Sequence, residues 1–465
     1  MNMINVRRLA VMTFLGAGML SDISAQDFSL QADTLNEARL PAQWDLQSCI
    51  DYALEQNITI RKNRVTAEST QIDVKTAKAA LFPSLSFSTS QQVVNRPYQE
   101  TSSRVSGSEI ISSNSKTSYN GNYGLNASWT IYNGSKRLKT FKQERLNNQV
   151  AELDVATSEN TIKESIAQIY IQILYAAESV RVNENTLQVS IAQRDRGQEL
   201  LNAGSIAKSD FAQLEAQVST DRYQLVTAQA TLQDYKLQLK QLLELDGENE
   251  MNVYLPKLSD ENVLAPLPAK KDVYVSALAI RPEIEASKLN VEASELGIDI
   301  AKSSYFPTIS LSAGIGTNHT SGSDFTFGEQ VKNGWNNSIG LSVSVPIFNN
   351  RQTKSAVQKA KLQRETNMLS LLDEQKALYK TIESLWLDAN SAQQRYAAAN
   401  EKLRSTQISY DLISEQFNLG MKNTVELLTE KNNLLQAQQE QLQAKYMAIL
   451  NTQLLKFYQG DKLTL

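Results

Sequence analysis

The sequence predicts a mainly α-helical protein with a small β part, built as a tandem duplication. Each copy holds a strand hairpin and a very long helical hairpin. Three observations predict it. First, Asn350 to Leu419 runs without Pro or Gly. Apolar and small residues recur there every seven positions in two interleaved series, Leu371, Leu378, Leu385, Ala392, Ala399 and Ile382, Ala389, Tyr396, Leu403, Tyr410, Phe417. Spacings of three and four mark a helix with a narrow coiled-coil seam. Second, the pattern occurs twice. Gln198–Gln217 matches Ser414–Asn433 with Gly204 over Gly420, an offset of 216. Gly124–Gly134 lies over Gly340–Asn350 at the same offset, and Ala77–Ser88 over Ala301–Ser312 at 224. Third, short stretches upstream of each rod alternate with a period of two.

The chain has 465 residues and a net charge of −4, with one Cys and one His. Both signs of charge are interspersed and no basic patch carries interleaved aromatics, which argues against nucleic-acid binding. Residues 1–25 read as a signal peptide: Arg7 and Arg8, an apolar run Leu9–Leu20, then Ser24-Ala25-Gln26 with cleavage after Ala25. No Cys follows that cut, so no lipid anchor is expected, and no later apolar run reaches the ~18 residues of a membrane helix.

Residues 26–43 read as a polar linker and 44–245 as the first repeat. Asp45 is a candidate N-cap, followed by a helix to about Leu81 that kinks near Asn57 and stops at Phe82-Pro83. Cys49 reads as a small buried residue. The first strand is expected at about 84–94, with Leu85 and Phe87 on one face and serines on the other. A polar loop, Asn95–Ser118, precedes a cleaner strand at 119–131, where Tyr123, Leu125, Trp129 and Ile131 alternate with Asn, Gly, Ser and Thr. Asn133 and Ser135 are candidate N-caps for the long helix, about 135–202, and its return helix covers about 209–245. Asp221 falls in the apolar seam of that return helix, and nothing in the sequence explains it.

Pro256, Pro266 and Pro268 break the pattern in 246–271, a linker expected to pack midway along the rods with the N-terminal segment and the C-terminus. The second repeat, 272–458, has strands at about 308–316 and 337–347. Ile309, Leu311, Ile339, Leu341, Val343 and Val345 lie on their apolar face. Its helices cover about 350–419 and 424–457, and 459–465 is a tail. His319, between those strands, reads as a solvated loop residue.

Strands of this length cross a bilayer when tilted. Four cannot close a membrane barrel, and an open edge in lipid leaves backbone N–H and C=O groups unpaired. Several chains must therefore combine. Eight strands leave an interior that side chains fill, whereas the small polar face suits a wet lumen, so three chains are expected. The alternative is an exported coiled-coil scaffold or adhesin that never spans a membrane. No Ser-His-Asp set, phosphate loop, CxxC or HExxH motif is present. The chain is read as no enzyme, with no catalytic residue, no cofactor and no metal. The repeated turn is the sharpest local feature: Gly204 and Gly420 end the outgoing rods, and six residues on stand Asp210 and Glu426. Such acids complement the helix dipole, and several copies together would ring a pore mouth with like charges.

Taken together, residues 44–460 resemble the TolC family of outer-membrane efflux proteins. The resemblance rests on the duplication, Arg281-Pro282-Glu283 opening the second copy, the Phe-Pro strand starts, the Tyr/Phe-Asn-Gly/Asn exits and the Gly-x5-Asp/Glu turns. It implies a homotrimer with a 12-stranded outer-membrane β-barrel on a periplasmic α-helical barrel. It further implies a duct for efflux or secretion, coupled through a periplasmic adaptor (membrane fusion) protein to an inner-membrane pump, with outer-membrane lipid around the barrel. By turn register, the resemblance places Asp210 and Glu426 at the family's tip acids and Ser209 at the hydroxyl before the first. Lys422 falls where a basic residue forms a closing ion pair, and Phe417 at a locking aromatic. Thr429 stands where the best-known member of the family has a second acid, three residues after the first.

Overall fold

The computed structural model describes residues 41–98, 102–106, 109–113, 116–246, 251–256, 263–321 and 325–464. The signal peptide, most of the 26–43 linker and parts of the 246–271 linker lie outside them. The chain falls into two units. In the small one Trp44 pairs in parallel with Val253, through Trp44 N–H to Asn252 O (2.8 Å) and Tyr254 N–H to Trp44 O (2.8 Å). The rest of the described chain forms the other.

The first repeat opens with α1 (Leu46–Gln56) and α2 (Ile58–Ala79). Asp45 caps α1 by accepting from Ser48 N–H at 2.7 Å. Asn57, with ψ 126°, breaks the helix and restarts it, since its Oδ1 accepts from Thr59 N–H at 2.9 Å. Cys49 is buried, and burial pushes its thiol up to about 12. Then follow β1 (Ser84–Asn95), a small hairpin of β2 (Ser102–Ser106) and β3 (Glu109–Ser113), and β4 (Thr117–Asn133). The segment read as a polar loop thus contains a hairpin. Serine, the common residue there, carries no period-two apolar signal to betray a strand.

The helical hairpin of the first repeat is α3 (Lys136–Asn202) and α4 (Lys208–Leu242). The second repeat has α5 (Lys270–Ile280), α6 (Pro282–Ser303), β5 (Thr308–Thr320), α7 (Phe327–Asn333), β6 (Asn336–Ser344), α8 (Gln352–Asn418) and α9 (Thr424–Gln459). Both long helices have 67 residues, about 100 Å at ~1.5 Å per residue. Beside each, a 22-residue helix and one of 35 or 36 residues meet end to end. At the first junction Asn57 Nδ2 donates to Leu242 O at 3.0 Å. At the second, the Arg281 guanidinium lies 3.6 Å over the Tyr458 ring. Residues 263–268 run along the middle of α8, where Gln393 Nε2 donates to Val263 O (2.9 Å) and Trp386 Nε1 to Pro268 O (3.0 Å).

The four long strands form one antiparallel sheet in the order β1-β4-β5-β6, so the two repeats join through β4 and β5. The register aligns like with like. Leu85, Ala127, Ala313 and Ile339 form one rank, and Trp129, Leu311 and Leu341 another. On the opposite face Ser84, Ser128, Ser312 and Gly340 line up, as do Ser86, Asn126, Gly314 and Ser338. The apolar face is bare: Leu85 is 69% exposed and Ile339 79%. Phe87, Tyr123, Leu125, Ile309 and Val343 stand in further ranks on the same face.

Four expectations are corrected. Val345 lies past β6, which ends at Ser344 because Pro346 has no N–H to give a ladder. Ile131 is the extra residue of a bulge, and Tyr132 takes the place opposite Ile309. The long helices are not started by side-chain caps at Ser135 or its counterpart. Gly134 and Ser135 (φ 66° and 63°), and Asn350 and Arg351 (φ 49° and 65°), turn the chain through consecutive left-handed residues. His319 is no solvated loop residue. It sits in β5 opposite Gly121, stacked on Tyr123 (5.9 Å) and meeting Phe327 of α7 edge-on (5.1 Å).

Candidate functional site: the helical tip

Both outgoing rods end alike. Gly204 and Gly420 each have φ +74°, with open space around them. Ser205 N–H reaches back to Leu200 O at 2.8 Å and Gly204 N–H to Leu201 O at 3.0 Å. Met421 to Gln416 (2.8 Å) and Gly420 to Phe417 (2.9 Å) repeat the pattern. This is the Schellman stop, which needs a left-handed residue and so favours glycine.

The acids six residues on cap the return helices. Asp210 Oδ2 accepts from Ala207 N–H at 3.2 Å. Glu426 accepts from Asn423 N–H at 3.2 Å, while Asn423 Oδ1 accepts from Glu426 N–H at 2.8 Å, a full capping box. Lys422 Nζ donates to Glu426 Oε1 at 2.6 Å within the same turn. That bond, then the one from Asn423, holds the Glu426 carboxyl below its ordinary range. Ser209 is exposed at the start of α4. Thr429 is exposed, and its hydroxyl donates to Val425 O of its own helix at 2.8 Å.

Behind the turns the two repeats touch. Phe417 is buried with Leu214 of α4 and Leu427 of α9, flanked by Leu200, Tyr410 and Ile413. Farther from the turns comes a polar layer. Asp221 (2% exposed) pairs with Lys431 (3% exposed), and Ser190 of α3 bonds to both. Gln217 Nε2 donates to Asp221 Oδ1 at 2.9 Å, and Gln193 Nε2 to Tyr410 Oη at 2.8 Å. Burial pushes the Lys431 ammonium below its ordinary value, against the pull of Asp221. Sequence reasoning found Asp221 but not its partner. The signal was there: Leu427, Lys431 and Leu434 follow the four–three spacing, so Lys431 occupies a seam position.

Midway along the helices a second ion pair, between buried Arg281 and partly buried Glu164, joins the repeats. Arg281 Nη2 meets Glu164 Oε1 at 2.7 Å. Burial pushes the Glu164 carboxyl above its ordinary range, only partly offset by Arg281.

No helix among the described residues is long and apolar enough to cross a membrane, which says nothing of the sheet. The sequence profile of the family described as "outer membrane efflux protein" matches residues 49–244 and 273–460, one match per repeat. The outer membrane efflux protein BepC of Brucella suis biovar 1 is 26% identical over 294 residues, 63% of this chain and 61% of that one. Outer membrane protein TolC of Escherichia coli K12 is 24% identical over 340 residues, 70% and 66%. The aligned stretches thus span slightly under two thirds of these relatives. Among solved structures, CusC superposes with a TM-score of 0.77 at 19% identity, covering 90% of this chain and 92% of that one. VceC of Vibrio cholerae gives 0.74 at 16% identity, covering 90% and 97%. These matches favour a channel over the exported scaffold.

Proposed function

This chain belongs to the outer membrane efflux protein family, and from that premise we propose that it forms an outer-membrane channel continued by a periplasmic duct. The duct serves efflux or secretion in a Gram-negative bacterium. One observation carries the reading. The four-stranded sheet has a bare apolar face, a Ser/Asn/Gly face and two edges, β1 and β6, with no further partner among the described residues. In lipid such edges must be paired. Three copies joined β1 to β6 give twelve strands with the small polar face inward, lining water.

The channel has no active site and works with a periplasmic adaptor and an inner-membrane pump that supplies the driving force. The repeated turns form its periplasmic gate. Asp210 and Glu426 ring the mouth, Lys422 and Ser209 tune their charge and hydrogen bonding, and Phe417 locks the bundle. Gly204 and Gly420 let the turns close tightly. The decisive experiment pairs cysteines across the two edges, Ser86→Cys on β1 with Ser342→Cys on β6, in a Cys49→Ala background. Cross-linking of outer membranes should give a covalent trimer that resists carbonate washing. Release of monomer by carbonate would support the scaffold instead.

A further inference from the structure

The layer of Ser190, Asp221 and Lys431 is an anomaly in an otherwise apolar seam. It draws one residue each from α3, α4 and α9, so it ties the first repeat's hairpin to the start of the last helix. A register pin would need only the ion pair. Here the polar character spreads along the same level to Gln193, Gln217 and Tyr410, and Gln193 Oε1 is buried with no hydrogen-bond donor among the described residues. The layer lies about 15–25 Å back from the turns, at ~1.5 Å per residue. The Leu214–Phe417–Leu427 cluster lies between it and the tip.

A dry ion pair adds little net stability, because both charges have given up their hydration. Water reaching it returns that hydration to Lys431 and Asp221 and supplies the missing donor to Gln193. The apolar contact nearer the tip has the opposite response and resists wetting.

We propose that Ser190, Asp221 and Lys431 form a latch released by water. Buried, it sets the register of α9 against the first repeat while adding little to the stability of the closed tip. Once the Phe417 contact parts, it wets and lets the hairpins separate at little further cost. As a gate in a duct, the latch rests on the channel reading. The dry-to-wet transition itself does not.

The test uses the full-length protein in detergent and in planar bilayers. Hydrogen exchange of the 424–434 amides reads the latch, and single-channel recordings read the gate. The apolar triple variant Ser190→Ala, Asp221→Leu, Lys431→Met cannot be wetted. Its exchange should slow by about tenfold or more, the scale on which buried ion pairs give way to apolar packing, and channel opening should become correspondingly rare. Lys431→Met alone strands Asp221 and should speed exchange. The exchanged pair Asp221→Lys, Lys431→Asp should return both readouts to within about threefold of the parent. Wild-type exchange and opening in the triple variant would overturn the latch. Slowed exchange without any current in the parent protein would instead count against the channel.

Should the triple variant not fold, Ser190→Cys and Lys431→Cys in the Cys49→Ala background, bridged by a short reducible thiol cross-linker, take its place. Bridging should suppress opening and reduction restore it. Unchanged opening after bridging would overturn the proposal.

Discussion

Asn57 and Arg281 occupy the same station in the two repeats, 224 residues apart, and break the chain in the same way. Asn57 has φ −60° and ψ 126°, Arg281 φ −73° and ψ 124°, and each separates an 11-residue helix from a 22-residue one. The chemistry differs. Asn57 caps the next helix with its own carboxamide and binds Leu242 O. Arg281 has Pro282 behind it, which pre-sets the helical φ, and turns its guanidinium to Glu164 of the other repeat. The same bend is held locally in one copy and across the repeats in the other.

That division predicts unequal losses. Asn57→Ala removes a cap and leaves Leu242 O without this donor, a loss of about 1–2 kcal/mol. Arg281→Ala leaves a partly buried carboxylate with the Tyr458 hydroxyl still beside it and should cost about 3 kcal/mol at neutral pH, the low end for a broken buried pair. Glu164 adds a pH signature. Its folded value is raised above the ordinary 4.5, so the fold holds its proton more tightly than the unfolded chain. The burial cost is absent below about 4.5 and builds as pH rises through the folded value. Thermal melts across that window should show stability falling with rising pH, and Glu164→Gln should flatten the slope.

Gly204 and Gly420 should respond to substitution through backbone strain alone, since a Cβ at either position meets nothing within 4 Å. Alanine forced to φ +74° should cost about 1–2 kcal/mol at each turn. Asparagine, which tolerates the left-handed region, should cost less. Melting of the two single variants and the double checks this, and the two costs should add.

What the sequence disclosed and what it hid divide along the range of the interactions. Helix seams and strand alternation repeat every few residues, so Ile382, Ala389 and Tyr396 announce a buried face without knowledge of any partner. The Gly-x5-acid turns are legible for the same reason. Contacts between repeats are not: Asp221 and Lys431 stand 210 residues apart, and either alone reads as a misplaced charge. His319 was obscured by its neighbours Asn318 and Thr320, which suit a loop as well as a strand. Only the pairing with Gly121 reveals its place.

Charge at the tip makes a prediction about current. Glu426 is held ionised by Lys422 and the Asn423 N–H, so its folded value is depressed. It stays charged as pH falls through the ordinary carboxylate range and is neutralised only at lower pH. Reversal potentials in a salt gradient should therefore show cation preference persisting below pH 4.5. Lys422→Met should move the loss of preference to higher pH. Asp210→Asn with Glu426→Gln should weaken the preference wherever the parent carboxylates are ionised, while keeping the glutamine-compatible capping box at Glu426.

The last prediction concerns the rim of the sheet. A Cβ on Gly121 would stand 2.2 Å from His319 Cε1 and 2.7 Å from Gln91 Oε1. The imidazole cannot simply swing aside, because Tyr123 stacks on it and Phe327 meets it edge-on. Gly121→Ala must therefore either displace α7 or eject the ring, giving up aromatic contacts of about 0.5–1.5 kcal/mol each. With His319→Ala already in place the nearest obstacle is gone, leaving only the flexible end of Gln91. Gly121→Ala should then cost much less than it does in the parent protein. Melting of the two single variants and the double closes the cycle, and simple additivity would mean that the ring does not lie over the glycine. Because α7 carries Phe327, the Gly121→Ala variant should also expose the 325–335 segment to protease, and His319→Ala added to it should not restore that protection.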